Sequence, residues 1–115
     1  MFTMMSEEHL PIYSKFAGDE DLGDIIVLFV EEMPERIARF QKALVEKNWP
    51  ELQVAAHQLK GSAGSHGFGT LSPIAAELEA TVKTGQSEEQ IAAATERLVD
   101  ACRRITAKRA QEPGA

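Results

Sequence analysis

The 115-residue sequence has a single cysteine, Cys102, so it can form no intramolecular disulfide and no cysteine-based zinc site. No apolar run approaches the roughly 18 residues of a membrane span. The opening MFTMMSEEHL lacks the basic and long apolar regions of a secretory signal, so a cytoplasmic location is expected. Basic charge is scarce: 12 Lys and Arg stand against 18 Asp and Glu, a net −6. That balance argues against a generic nucleic-acid or anionic-membrane surface. The only local basic cluster, Arg103, Arg104, Lys108 and Arg109, reads as a solvated last helical turn complementing the helix dipole. Strand signals are missing, with nothing alternating at period two. There is no P-loop and no GxGxxG after a strand, hence no evident nucleotide site. Spacing supports no Ser-His-Asp triad. The three histidines, His9, His57 and His66, lack the spacing of a helical metal pair, so no metal or other cofactor is expected on this chain.

What remains is helical periodicity in a chain long enough for one modest core. The first stripe is Leu22, Ile25, Ile26, Phe29, Val30, Met33, Ile37, Phe40 and Leu44. Asp19 or Asp21 would cap it, and Pro34 would kink it without ending it. Asn48-Trp49-Pro50 closes that helix and opens the next, whose stripe is Leu52, Ala55, Ala56, Leu59 and Ala63. A third helix is expected after Thr70 or Ser72, with Leu71, Ile74, Ala75, Leu78 and Val82 inward and Gly85 as its stop. Ser87 and Gln90 form a capping-box pattern for the last, which carries Ile91, Ala94, Leu98, Ala101, Cys102 and Ile105. Short connections predict an all-α fold: an antiparallel up-down four-helix bundle, with a short N-terminal helix from His9 to Phe16 as a lid. The expected division is an extension over 1–8, the bundle over 9–110 and a disordered tail over 111–115.

His57 stands apart because of its neighbours. It lies off the apolar stripe, on a line with Gln53, Lys60, Gly61 and Gly64. Helical side chains lean toward the N-terminus, so the residue at i+4 would lie over the imidazole. That residue is Gly61, which has no side chain. Each helix-interior glycine costs about 1 kcal/mol relative to alanine, and two on one face suggest that something large must approach. Lys60 at i+3 could neutralise an anion formed at the ring. An exposed nucleophile that becomes an anionic adduct fits this pattern. So does a surface histidine beside glycines that merely allow close helix packing, and spacing alone leaves both open.

The stretch AAHQLKGSAGSHGFGTL, Ala55 to Leu71, resembles the signature of histidine phosphotransfer domains. The centre of the match is His57, Leu59, Lys60, Gly61, Ser62 and Ala63, with Gly67 ten residues after the histidine. Looser likeness extends to Phe29, Met33-Pro34-Glu35-Arg36 and Leu78-Glu79. The resemblance implies a phosphocarrier, not an enzyme, that accepts a phosphoryl group at Nε2 of His57 from a receiver-domain aspartate and passes it to another receiver. It implies Lys60 as a stabiliser of phosphoryl charge, Glu79 as the group that orients the imidazole, and Lys83 as a further basic residue facing the phosphoryl group or a solvated helix-end lysine. Gln53, Gly61, Gly64 and Phe68, with apolar residues of the first long helix, would form the docking face. Partners would be response-regulator receivers and a hybrid sensor histidine kinase. The receiver would supply Mg2+, and the chain would act as a monomer without nucleic acid or membrane. Gly67-Phe68-Gly69 resembles the phospho-accepting domain of chemotaxis kinases, which is phosphorylated from ATP by a separate catalytic domain. The ending Glu112-Pro113-Gly114-Ala115 favours a free-standing chain. A helical adaptor never phosphorylated is the remaining alternative. No role transfers to His66 beyond that of a histidine at a helix end.

Overall fold

The computed structural model describes residues 10–110, which are mostly helical. The extension expected over 1–8, His9 and the tail over 111–115 lie outside them. In chain order the elements are β1 (Ile12–Tyr13), α1 (Gly23–Glu31), α2 (Met33–Val45), α3 (Trp49–Ser65), α4 (Leu71–Lys83), α5 (Glu88–Arg104) and β2 (Ile105–Thr106). Helix α2 packs on α3, α3 on α4, α4 on α5, and α5 back on α2. The expected stripes form the shared core: Leu52, Ala55, Ala56, Leu59 and Ala63 from α3 meet Leu71, Ala75 and Leu78 from α4 and Ile91, Leu98, Ala101 and Cys102 from α5.

Local chemistry sets the helix ends. The Asn48 side chain accepts from the Glu51 N–H, and Pro50 sits in the first turn of α3. Ser87 and Gln90 complete a capping box on α5. Three helices end in the same motif, in which the residue two past the cap donates back across the last turn. After α2, Asn48 N–H reaches the Ala43 carbonyl; after α3, Phe68 reaches Ala63; after α4, Gln86 reaches Thr81. The motif needs a left-handed residue, supplied by Lys47 (φ 55°), Gly67 (81°) and Gly85 (69°). The first stripe, expected to be one helix kinked at Pro34, is divided into α1 and α2 at Glu32, with Pro34 in the first turn of α2. Lacking an N–H, it leaves the Val30 carbonyl without its usual donor, and α1 hands over to α2 at Glu32, which stays in the right-handed region. The stripe continues in phase through buried Ile26, Phe29, Met33 and Phe40.

Several expectations are corrected. The N-terminal lid is not helical over its described residues: Ile12–Tyr13 is extended and pairs in parallel with Ile105–Thr106. The Ile12 and Phe16 spacing imitates a helix, but the Ser14 hydroxyl accepts from the Phe16 N–H and donates to the His66 carbonyl, which favours a turn. This short ladder also corrects the reading that the chain has no strand. Second, Asp19 does not cap α1. Its carboxylate accepts from Asp21 and Leu22 N–H in the turn before, and α1 starts behind Leu22 without a side-chain cap. Third, Ile25 is 49% exposed, because α1 meets the rest through Ile26 and Phe29 and leaves its other faces open.

Candidate functional site

Helix α3 runs unbroken through Gly61 and Gly64 to Ser65, so His57 stands on a regular helical surface. Its side chain is 65% exposed, as its place off the buried stripe requires. Glu79, one face of α4, comes up beside it with a side chain only 11% exposed. His57 Nδ1 lies 2.8 Å from Glu79 Oε2, and the Lys60 ammonium donates to Glu79 Oε1 at 2.7 Å. The two helices are pinned at this level by the Ser72 hydroxyl, which donates to the Lys60 carbonyl at 2.8 Å.

This arrangement fixes protonation states. The Lys60 ammonium, and after it the hydrogen bond from His57, hold the Glu79 carboxyl below its ordinary range. An ionised carboxylate only accepts, so Nδ1 must carry the hydrogen facing it. In the neutral ring the lone pair is then left on Nε2, which faces away from Glu79. The site is an exposed nucleophilic nitrogen with its tautomer set from behind.

A Cβ at Gly61 would meet nothing within 4 Å, and one at Gly64 only the Ser72 hydroxyl at 3.8 Å. Among the described residues neither glycine is needed for helices to approach each other. Of the other expected residues, Gln53 is half-buried one turn before His57 on the same line. Lys83 is exposed in the last turn of α4, where a cation complements the helix end. Phe68, expected on the docking face, is fully buried and stacks on Phe29 with ring centroids 5.5 Å apart. The turn that ends α3 folds the residue after Gly67 back against its own helix, so Phe68 supports the surface from beneath. His66 caps α3, stacks on Phe29 at 4.4 Å, and its Nδ1 lies 2.7 Å from the Ser62 carbonyl. It is a helix-end residue that anchors α1 against α3.

A second polar cluster flanks His57 on the α2 side, and no sequence spacing pointed to it. Arg39 binds the Glu51 carboxylate through two nitrogens and donates to Gln58 Oε1 at 2.7 Å.

Among the described residues His57 is the exposed imidazole, and the largely buried carboxylate of Glu79 orients its ring. A family model described as the Hpt domain matches residues 24–111, and the chain belongs to that family. No curated protein and no solved structure matches it. Membership implies histidine phosphotransfer within a phosphorelay. Hpt domains are in general phosphocarriers without an ATP site of their own, and they interact with receiver domains and kinases of two-component systems. Among the described residues no helix is long and apolar enough to cross a membrane.

Proposed function

We propose that this chain is a phosphorelay carrier that takes a phosphoryl group from a receiver aspartate onto Nε2 of His57 and returns it to another receiver. One observation carries the reading: the 2.8 Å contact between Nδ1 and Glu79 behind a ring whose other nitrogen is open. In the transfer, the Nε2 lone pair forms the N–P bond as the acyl–phosphate P–O bond breaks and the aspartate leaves as carboxylate. The ring becomes cationic while Nδ1–H stays on Glu79, whose negative charge stabilises it, as preorganised charges do at reacting centres. Lys60 serves two anions. It keeps Glu79 ionised in the free chain, and its ammonium has two further donors for phosphoryl oxygens. Lys83 would add a more distant positive charge. Phosphoryl transfer is mostly positioning and charge stabilisation, so Mg2+ is assigned to the receiver's acidic pocket.

The docking face would comprise Gln53, Gly61 and Gly64 with the exposed Ile25 and Leu28 of α1. Helix α1 lies against the end of α3 that carries the glycines, through Phe29 and His66. The ring of helix contacts and the short connections support an antiparallel up-down four-helix bundle, and the same reading takes the chain as a cytoplasmic monomer with a hybrid sensor kinase among its partners. The glutamate behind the histidine also suits the chemotaxis-kinase arrangement, in which a separate catalytic domain phosphorylates the histidine from ATP. Two incubations separate these readings: one with receivers charged by acetyl phosphate, the other with ATP and a kinase catalytic domain. The carrier reading expects reversible labelling in the first. Labelling in the second alone favours the kinase-substrate reading, and labelling in neither leaves the helical adaptor.

A further inference from the structure

His57 has two polar flanks. Lys60 and Glu79 on the α4 side belong to the phosphoacceptor chemistry. Gln58 and Arg39, on the α2 side, have no part in it. We propose that Gln58 is a docking and specificity residue: its amide, set by Arg39, presents N–H donors to the receiver beside His57 and selects a receiver surface carrying a hydrogen-bond acceptor there. The inference rests on the reading of His57 as the receiver-facing residue.

The orientation of the amide follows from donor and acceptor inventories. A guanidinium has donors only, so the group it meets on Gln58 must be Oε1; that contact is 2.7 Å. The Nε2 end is consequently the free one. Arg39 is itself held, because two of its nitrogens engage the Glu51 carboxylate and tie α2 to α3. An unrestrained glutamine could turn either end to a partner. Gln58 is restrained by a neighbour that is itself fixed, so it offers donors and disfavours a partner group that also donates.

Its position places it under the partner. Gln58 is exposed and follows His57 directly, with consecutive Cα atoms about 3.8 Å apart. An interface at the low end of the usual range buries several hundred Å2 on each side, a patch on the order of 10 Å in radius. A receiver centred on Nε2 must cover Gln58. Selectivity by a fixed polar group is strong for the reason that a mismatch leaves that group desolvated and unpaired.

The test uses the full chain and whichever receiver, from a panel charged with acetyl phosphate, transfers fastest to wild type. Gln58→Met keeps the length of the side chain and removes its donors. It should raise KM for the charged receiver about 3- to 10-fold, the worth of about one hydrogen bond. Gln58→Glu retains an oxygen for Arg39 but turns the second oxygen outward, and should raise KM at least as much. A Gln58→Met deficit that shrinks at high salt assigns the acceptor to a carboxylate, and one that persists assigns it to a carbonyl. An unchanged KM in Gln58→Met, or tighter binding by Gln58→Glu, overturns the proposal. Failure of wild type to accept phosphate would instead overturn the phosphocarrier reading, so the two failures are distinguishable.

Discussion

Substitution of Gly61 separates two roles that a helix glycine can have. If it served internal packing, any side chain would clash and destabilise the free protein. The structure shows the opposite: a Cβ there has no neighbour within 4 Å, and the residue sits in the regular interior of α3. Gly61→Ala should therefore recover most of the helix-propensity difference, roughly 0.5–1 kcal/mol. For a domain of this size that raises Tm by roughly 2–4 °C. Gly61→Gln should also fold at least as well as wild type, yet its side chain leans back over His57 and stands where a receiver must come. Phosphoryl acceptance should fall about 10- to 100-fold, the usual cost of small misplacements of reacting groups. Thermal melts followed by circular dichroism give the first quantity, and rapid-quench transfer from a charged receiver gives the second. A lowered Tm for Gly61→Ala, or wild-type transfer by Gly61→Gln, would refute the clearance argument.

Glu79→Gln removes the charge that fixes the ring, since an amide can either donate to Nδ1 or accept from it. Acceptance should slow by about 10- to 100-fold, as for other groups that orient a reactive histidine, while receiver binding persists. Imidazole 15N shifts should report a mixed tautomer, and an unaltered tautomer and rate would remove Glu79 from the mechanism. Protonation offers an independent check. The Glu79 pKa is held below its ordinary 4.5 by Lys60 and His57, so their pairing contributes stability above about pH 4.5 that is lost as pH falls through the folded-state value. Lys60→Met should raise that pKa and move the acid loss to higher pH, read from the Glu79 carboxyl 13C titration and urea melts across pH. An unshifted titration would show that Lys60 does not hold the carboxylate.

The helices were legible because their stripes are strong and local. The Asn48-Trp49-Pro50 junction, the Ser87–Gln90 box and Gly85 marked ends that side-chain and backbone chemistry dictates nearby. His57, with Gly61 and Lys60 close in sequence, was legible for the same reason. What was missed depends on distant partners. Ile12 and Phe16 have helical spacing, yet the segment pairs with Ile105 and Thr106 at the far end of the chain. Phe68 between two glycines looked exposed, but the turn after α3 folds it inward. Ile25 fitted the stripe, and nothing in the sequence told that α1 has so few neighbours. Arg39, Glu51 and Gln58 meet across two helices at separations of 12 and 19 residues, which no spacing rule anticipates. Glu79 entered through family resemblance, and the structure then placed its carboxylate on Nδ1.

The central claim is that Nε2 of His57 carries the phosphoryl group. The most direct test incubates wild type and His57→Gln with the same radiolabelled, phosphorylated receiver. Phosphate stable to alkali and labile to acid, the signature expected of a phosphohistidine, is then counted on each. Label on wild type and none on a His57→Gln protein with the same helical content is the predicted result. Equal acid-labile label on both would place the phosphoryl group elsewhere and contradict the account.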